Sequence, residues 1–347
     1  MPTDISPLTI GILGCANIAK QFVRDVQGSP KVALLAVASR DLDKAKAFAQ
    51  NFGIARAHGS YEALLSDVAL DAIYIPLPNS MHAEWAIRAM RAGKHVLCEK
   101  PLALNRLEVM RMYEAARQHG VMLLESYPYW FQPQTRELLN CLSRDQIGRV
   151  QSMQACFGFT LGNPERNIRM QADLGGGALL DAGSYPISLI RLVMGCAPER
   201  VMAHAQWAAT GVDISMMATL LYADGRSAQM SCAMNAANHR RATIVGTHGT
   251  VETEYLNHTS DSHTHPWGYL PSQLRVRQGI TNSIAFEEID ASTGSGFRFA
   301  AEAFAHVVQT QDVQAIERAA LASLDIAATL DAIQASAKTG KTITLSK

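Results

Sequence analysis

Two short stretches of this chain carry residue types that could do chemistry. The first is Gly93-Lys94-His95-Val96-Leu97-Cys98-Glu99-Lys100-Pro101-Leu102, a turn and a short apolar strand that end in an acid, an amine and a proline. Open α/β sheets bind ligands beyond the carboxyl ends of their strands, which is where this lysine falls. Pro101 fixes its own φ and holds Lys100 extended, so the ammonium is aimed rather than left to wander. The second stretch is Leu174-Gly175-Gly176-Gly177-Ala178-Leu179-Leu180-Asp181-Ala182-Gly183-Ser184-Tyr185-Pro186. Its glycine run permits close approach of a ligand or another backbone. Asp181 and Tyr185 share a face if the segment is helical, and Pro186 is expected to limit that helix. On their own, these residues fit a charged strand end and a buried tyrosine beside an acid equally well.

The surrounding pattern supplies the elements that must position them. The apolar run Leu8–Leu13 ends in Gly14-Cys15-Ala16-Asn17-Ile18-Ala19, and a helical pattern follows to about Val26. Strand, tight turn and helix form the opening of a dinucleotide-binding unit, in which a pyrophosphate rests on unpaired N–H groups at a helix start. The usual G-x-G-x-x-G appears here as Gly14-x-Ala16-x-x-Ala19, a weak match by itself. Val32–Ala38 reads as the next strand, followed by Ser39-Arg40-Asp41. An acid at this place binds the ribose hydroxyls of NAD, whereas Ser and Arg suit the extra phosphate of NADP. Asp41 lies one step later and is placed to cap a helix over Leu42–Phe52, so the pattern favours NADP(H). Further strands are expected at Ala72–Ile75, His95–Cys98 and Val121–Glu125, with helices at Tyr61–Leu65, Ala83–Ala92 and Arg106–His119 between them. Pro76-Leu77-Pro78-Asn79 cannot belong to a central strand and forms a loop at the carboxyl edge. This alternation implies a parallel, doubly wound sheet.

Taken together, GILGCANIA, ASRD, PLPNSMHAEWAIRAMRAGKHVLCEKPL and LGGGALLDAGSYPI resemble the glucose–fructose oxidoreductase/inositol dehydrogenase (Gfo/Idh/MocA) family over nearly the whole chain, and most of all its NADP-dependent branch. The resemblance implies an N-terminal Rossmann domain over 1–126 and a C-terminal α+β domain over 127–347 with a large open antiparallel sheet, through which a homodimer or tetramer forms. It implies Tyr185 as general acid/base, Lys100 as the cation that lowers the phenol's ordinary pKa of about 10, and Asp181 as an orienting acid. It further implies that the pyrophosphate lies on Gly14, Cys15, Ala16, Asn17 and Ile18, and the NADP phosphate on Ser39 and Arg40. Pro76, Leu77, Asn79, His82, Glu99 and Lys100 would line the rest of the cofactor edge. The implied activity is hydride transfer between NADP(H) and a keto or hydroxyl group of a sugar or cyclic polyol. Nicotinamide-assisted glycoside cleavage and a non-catalytic sugar-sensing regulator remain the alternatives. The Lys–Pro bond is commonly cis in the family.

Beyond residue 127 the periodicity changes. Strands are expected at Val150–Leu161, Val201–Ala209, Ser215–Tyr222, Ser227–Met234, Ala242–Gly246, Val251–Glu254 and Leu274–Arg277, with a hairpin turn at Asp224-Gly225. Phe297–Gln309 and Val313–Lys338 read as helices. Tyr129 and Trp130 follow the last strand of the first domain and are candidate substrate contacts, with plain packing as the other reading. Arg166 and Arg169 could hold a substrate phosphate or simply a loop. The histidines His258, His263 and His265 lack the spacing of metal ligands, and no metal site is expected.

Composition limits the function classes. Lys plus Arg and Asp plus Glu both total 31, so there is no global field for nucleic acid or an anionic membrane. No apolar run approaches the roughly 20 residues of a membrane span, and Met1–Pro7 lacks the features of a signal peptide. The cysteines, at 15, 98, 141, 156, 196 and 232, show no paired spacing. They are expected to be buried, reduced side chains of a cytoplasmic protein.

Overall fold

The computed structural model describes residues 6–254, 273–292 and 294–345. In chain order the first elements are β1 (Leu8–Leu13), α1 (Asn17–Val26), β2 (Val32–Ala38), α2 (Leu42–Phe52), β3 (Arg56–His58), α3 (Tyr61–Leu65), β4 (Ala72–Ile75), α4 (His82–Arg91), β5 (His95–Glu99), α5 (Arg106–His119) and β6 (Leu123–Ser126). Then come α6 (Pro133–Ser143), β7 (Val150–Thr160), α7 (Ser184–Met194), β8 (Arg200–Trp207), β9 (Asp213–Leu221), β10 (Ser227–Ala233), β11 (Asn235–Gly246), β12 (Gly249–Thr253), β13 (Leu274–Gln278) and β14 (Glu287–Glu288). The chain ends with α8 (Gly296–Thr310), α9 (Val313–Thr339) and β15 (Ile343–Thr344).

The chain divides into two compact units. The first comprises 1–103, 107–128 and 295–321. Its sheet is wholly parallel, in the order β3-β2-β1-β4-β5-β6. The strands are buried on both faces, which is why they read as unbroken apolar runs: Ile10, Ile12, Ile73, Ile75, Val96 and Leu97 have no exposed surface. The short β3, which breaks no sequence pattern strongly enough to be anticipated, extends the edge beside β2. Chain order alone would place 295–321 with the second unit. In fact α8 packs on α1, with Phe297 edge-on to Phe22 at 5.9 Å and Ser295 Oγ donating to Asp25 at 2.7 Å.

The second unit holds a nine-stranded sheet, β14-β13-β12-β11-β7-β10-β9-β8-β15. Successive hairpins predict antiparallel pairing throughout, and most pairs obey it. The pair β10–β7 is parallel, because β11 returns from β10 to the far side of β7. Gly225 turns the β9–β10 hairpin at φ +86°, as the Asp-Gly signal requires. Helix α7 lies over β7 and β10, and the segment Leu179–Gly183 just before it over β9 and β10, so alternate strand residues such as Met216, Ala218, Met230 and Cys232 are buried beneath them. Their neighbours Met217, Gln229 and Ser231 face the other way.

Candidate active site

In the first unit the strand order reverses between β1 and β4, and the loops that follow them open a crevice at the carboxyl edge. Gly14 closes β1 at φ +116°, where a Cβ would come within 2.9 Å of Leu77 Cδ2, so only glycine fits this turn. Helix α1 then starts at Asn17 with Ala16 as its N-cap, no side-chain cap and no acid in its first turn. Such a start leaves N–H groups and a positive helix end for an anion, while small residues let it approach. At the end of β2, Asp41 is occupied: its Oδ1 accepts the N–H groups of Asp43 and Lys44, capping α2. Arg40 remains exposed beside Ser39. Burial raises the Tyr61 pKa and Arg40 opposes that rise. This set of groups fits a dinucleotide carrying an additional phosphate.

The loops after β4 and β5 are fastened together. His82 is fully buried, with Nδ1 2.9 Å from the Pro101 carbonyl and Nε2 2.8 Å from that of Leu77. Both ring nitrogens thus face backbone carbonyls, and His82 ties the two loops together. Burial pushes its pKa down and the nearby Lys100 charge adds to this, while the two carbonyls oppose the shift. Glu99 closes β5, buried, and accepts a hydrogen bond from the Tyr74 hydroxyl at 2.7 Å. Tyr74 in turn stacks on Phe22 at 3.8 Å. Lys100 is half-buried and is followed by a cis peptide bond to Pro101. Pro76, Leu77 and Asn79 line the adjacent loop, which ends in one 3₁₀ turn over Asn79–Met81.

In the second unit the glycine-rich segment folds into one turn of π-helix, Leu179–Gly183, that runs directly into α7. Pro186 was expected to limit the helix, yet α7 continues through it. Proline lacks an N–H and crowds the carbonyl one turn back, and the wider π turn preceding it removes that conflict. Asp181 Oδ2 accepts from Arg169 Nε at 2.6 Å, a short charge-assisted bond. The Asp181 carboxylate, and more weakly Tyr185, hold the Arg169 guanidinium proton more firmly than usual. Tyr185 is 4% exposed and its ring lies 5.2 Å from Phe157 and 6.1 Å from Tyr129.

Of the expected substrate contacts, Tyr129 lies behind Tyr185, without exposed surface. The Ser188 hydroxyl donates to the Tyr185 carbonyl, so Tyr129 must donate to Ser188 Oγ, at 2.6 Å, and accept from Trp130 Nε1 at 2.7 Å. This hydroxyl is held between Ser188 and Trp130, with its ring beside that of Tyr185. Trp130 keeps part of its surface, and Arg166 is exposed. His258, His263 and His265 lie outside the described residues. Asp213, Tyr61 and Tyr74, which sequence pattern did not single out, hold site residues in place from elements far along the chain.

A family model described as an oxidoreductase family with an NAD-binding Rossmann fold matches residues 8–127, and the Gfo/Idh/MocA C-terminal domain matches 135–252. A D-xylose 1-dehydrogenase (NADP(+)) of Haloferax volcanii is 34% identical over 97% of this chain and 100% of its own length. A trans-1,2-dihydrobenzene-1,2-diol dehydrogenase of Xenopus tropicalis is 38% identical over 70% of this chain and 74% of its own. The 3-ketoreductase KijD10 of Actinomadura kijaniata, solved with NADP and TDP-benzene, superposes with a TM-score of 0.84 at 33% identity, over 95% of this chain and 98% of its own. Variants of that ketoreductase with a tyrosine changed to phenylalanine and a lysine to alanine have also been solved. With both domain models matched in order and relatives aligned end to end, the chain belongs to the Gfo/Idh/MocA family of oxidoreductases.

Proposed function

We propose that this protein transfers a hydride between NADP(H) and a keto or hydroxyl group of a sugar or cyclic polyol. The observation that carries the reading is the pairing at the end of β2: the acid is spent on capping α2, while Ser39 and Arg40 remain beside Gly14 and the open start of α1. In this reading residues 1–126 hold the cofactor and 127–347 hold the substrate and a second copy of the chain. Gly14, Cys15, Ala16, Asn17 and Ile18 bind the pyrophosphate, and Ser39 with Arg40 binds the extra phosphate. Glu99, fixed by Tyr74, serves the ribose on the nicotinamide side.

When bound, the reduced nicotinamide supplies a hydride. Tyr185 gives its hydroxyl proton to the alkoxide that develops on the substrate, and takes it back in the oxidation direction. Lys100 hydrogen-bonds the same oxygen and stabilises its charge. Asp181, oriented by Arg169, accepts hydroxyl hydrogens of the substrate, and Trp130 offers a ring face to a sugar. NADP-linked activity in one relative and NADP in the solved ketoreductase support the cofactor assignment. The replaced tyrosine and lysine in that ketoreductase support the choice of residue types. The test is oxidation of NADPH and NADH across keto sugars and diketones, with the reverse assay on aldoses and cyclic diols. Turnover with NADPH preferred is expected, and an equal or greater rate with NADH would overturn the cofactor assignment.

A further inference from the structure

Asp213 opens β9 and is 3% exposed, yet the proposed reaction has no use for a carboxylate at that place. An ionised carboxyl out of water is costly unless hydrogen bonds replace its hydration. Here they do. Oδ2 accepts the N–H of Leu179 at 2.6 Å, and the N–H of Ala178 also favours the ionised carboxyl. These are the first N–H groups of the turn that carries Asp181.

Two glycines fit this arrangement from either side. Gly177 has φ +117°, and a Cβ there would overlap Asp213 Oδ1. At the other end of the turn, a Cβ on Gly183 would come within 2.9 Å of Cys232 Sγ and 3.1 Å of Met230 Cε, both on β10. The π turn is therefore held by a carboxylate at its start and pressed onto a strand at its end. A π turn contains one residue more than an α turn. Reverting it to α geometry would swing Asp181 by about 100° about the helix axis relative to Tyr185. The 2.6 Å bond from Arg169 to Asp181 could not survive that rotation.

We propose that Asp213 is a positioning residue: it pins the π turn Leu179–Gly183 and thereby sets the directions of Asp181 and Tyr185. The catalytic part of this inference rests on the assignment of Tyr185 made above. The bond from Leu179 N–H to this carboxyl also explains why the turn does not relax to the ordinary helix that Pro186 and Ala182 would otherwise share.

The test uses the full chain with NADPH and a ketone that the wild type turns over, and it has two arms. Hydrogen exchange across 178–185 reads the clamp itself, and steady-state kinetics read its consequence. Asp213→Ala is expected to speed exchange of the Ala178 and Leu179 amides about tenfold or more and to lower kcat about 10- to 100-fold. Affinity for NADPH should stay within about twofold of wild type, since Asp213 belongs to the second unit and the proposed cofactor contacts to the first. Asp213→Asn keeps an oxygen that accepts an N–H and should recover most of kcat. Where Asp213→Ala does not fold, Gly177→Ala displaces the same carboxylate and must reproduce the loss. Wild-type exchange and kcat in Asp213→Ala or Gly177→Ala would overturn the proposal, as would an Asp213→Asn variant as slow as Asp213→Ala. If Tyr185→Phe keeps full turnover, the Tyr185 assignment falls. The exchange arm still decides the clamp, fast exchange in Asp213→Ala upholding it and unchanged exchange refuting it.

Discussion

Arg40 and Asp41 are neighbours with opposite employment. The acid is committed to two backbone N–H groups of α2, and the base stands at the surface against Tyr61. Removing the base should therefore discriminate between cofactors. Arg40→Ala is expected to weaken NADPH about tenfold or more, one charge-assisted contact being worth about 1.5–3 kcal/mol, and to leave NADH nearly unchanged. Fluorescence titration with both nucleotides checks this, and equal losses would count against the phosphate reading. For the chemistry, Lys100→Ala and Tyr185→Phe should each lower kcat about tenfold or more while NADPH still binds; normal turnover in both would refute the pair. Residue types made these positions legible, since a lysine between a buried strand and a proline, or an acid four before a tyrosine, is visible in one dimension. Asp213 and Tyr61 were not. Their meaning lies in partners 34 and 21 positions away, Leu179 and Arg40, and no local pattern records such a partner.

Among the elements, five of the six parallel strands were readable to within two residues, because strands buried on both faces must be apolar throughout and their helices are capped by Asp41 or Ser60, whereas the short β3 was not. The π turn was not readable, since its sequence suits an α-helix equally and tertiary contacts decide. Two histidines tie this sheet's edges. His95 Nδ1 accepts the Met122 N–H at 2.9 Å, joining β5 to the entry of β6, and His82 bridges the loops after β4 and β5. Burial lowers the pKa of both below the ordinary value of 6.5. As pH falls through about 6.5 the unfolded chain binds protons that the folded one refuses, so stability is lost on acidification and is fully present above that pH. The thermal midpoint is expected to drop between pH 7 and pH 5. His95→Gln and His82→Asn should each flatten the drop, and a slope unchanged in both variants would reject this origin.

At the scale of the whole molecule, one face of the second sheet carries exposed apolar side chains. Met202 and Met217 are 45% and 64% exposed on it, among small polar residues such as Thr219, Gln229 and Ser231. We assign this face to a second copy of the chain, so Met217→Glu should shift sedimentation toward the monomer with little change in thermal midpoint; an unshifted profile would refute that assignment. The first unit draws on both ends of the sequence. Helix α8, from the far end, closes over α1 and reaches β2 and β5, and Phe297→Ala there should cost about 3–5 kcal/mol in chemical denaturation. A domain cut at residue 128 would lack that helix and melt without a sharp transition. Proteins are made from the amino end, and most fold their leading domain while the rest is still being synthesised. This chain has to wait: until the ribosome has passed the codon for Thr310, the nucleotide-binding half lacks one of its walls, and any transcript truncated inside the second sheet encodes a product with neither half finished.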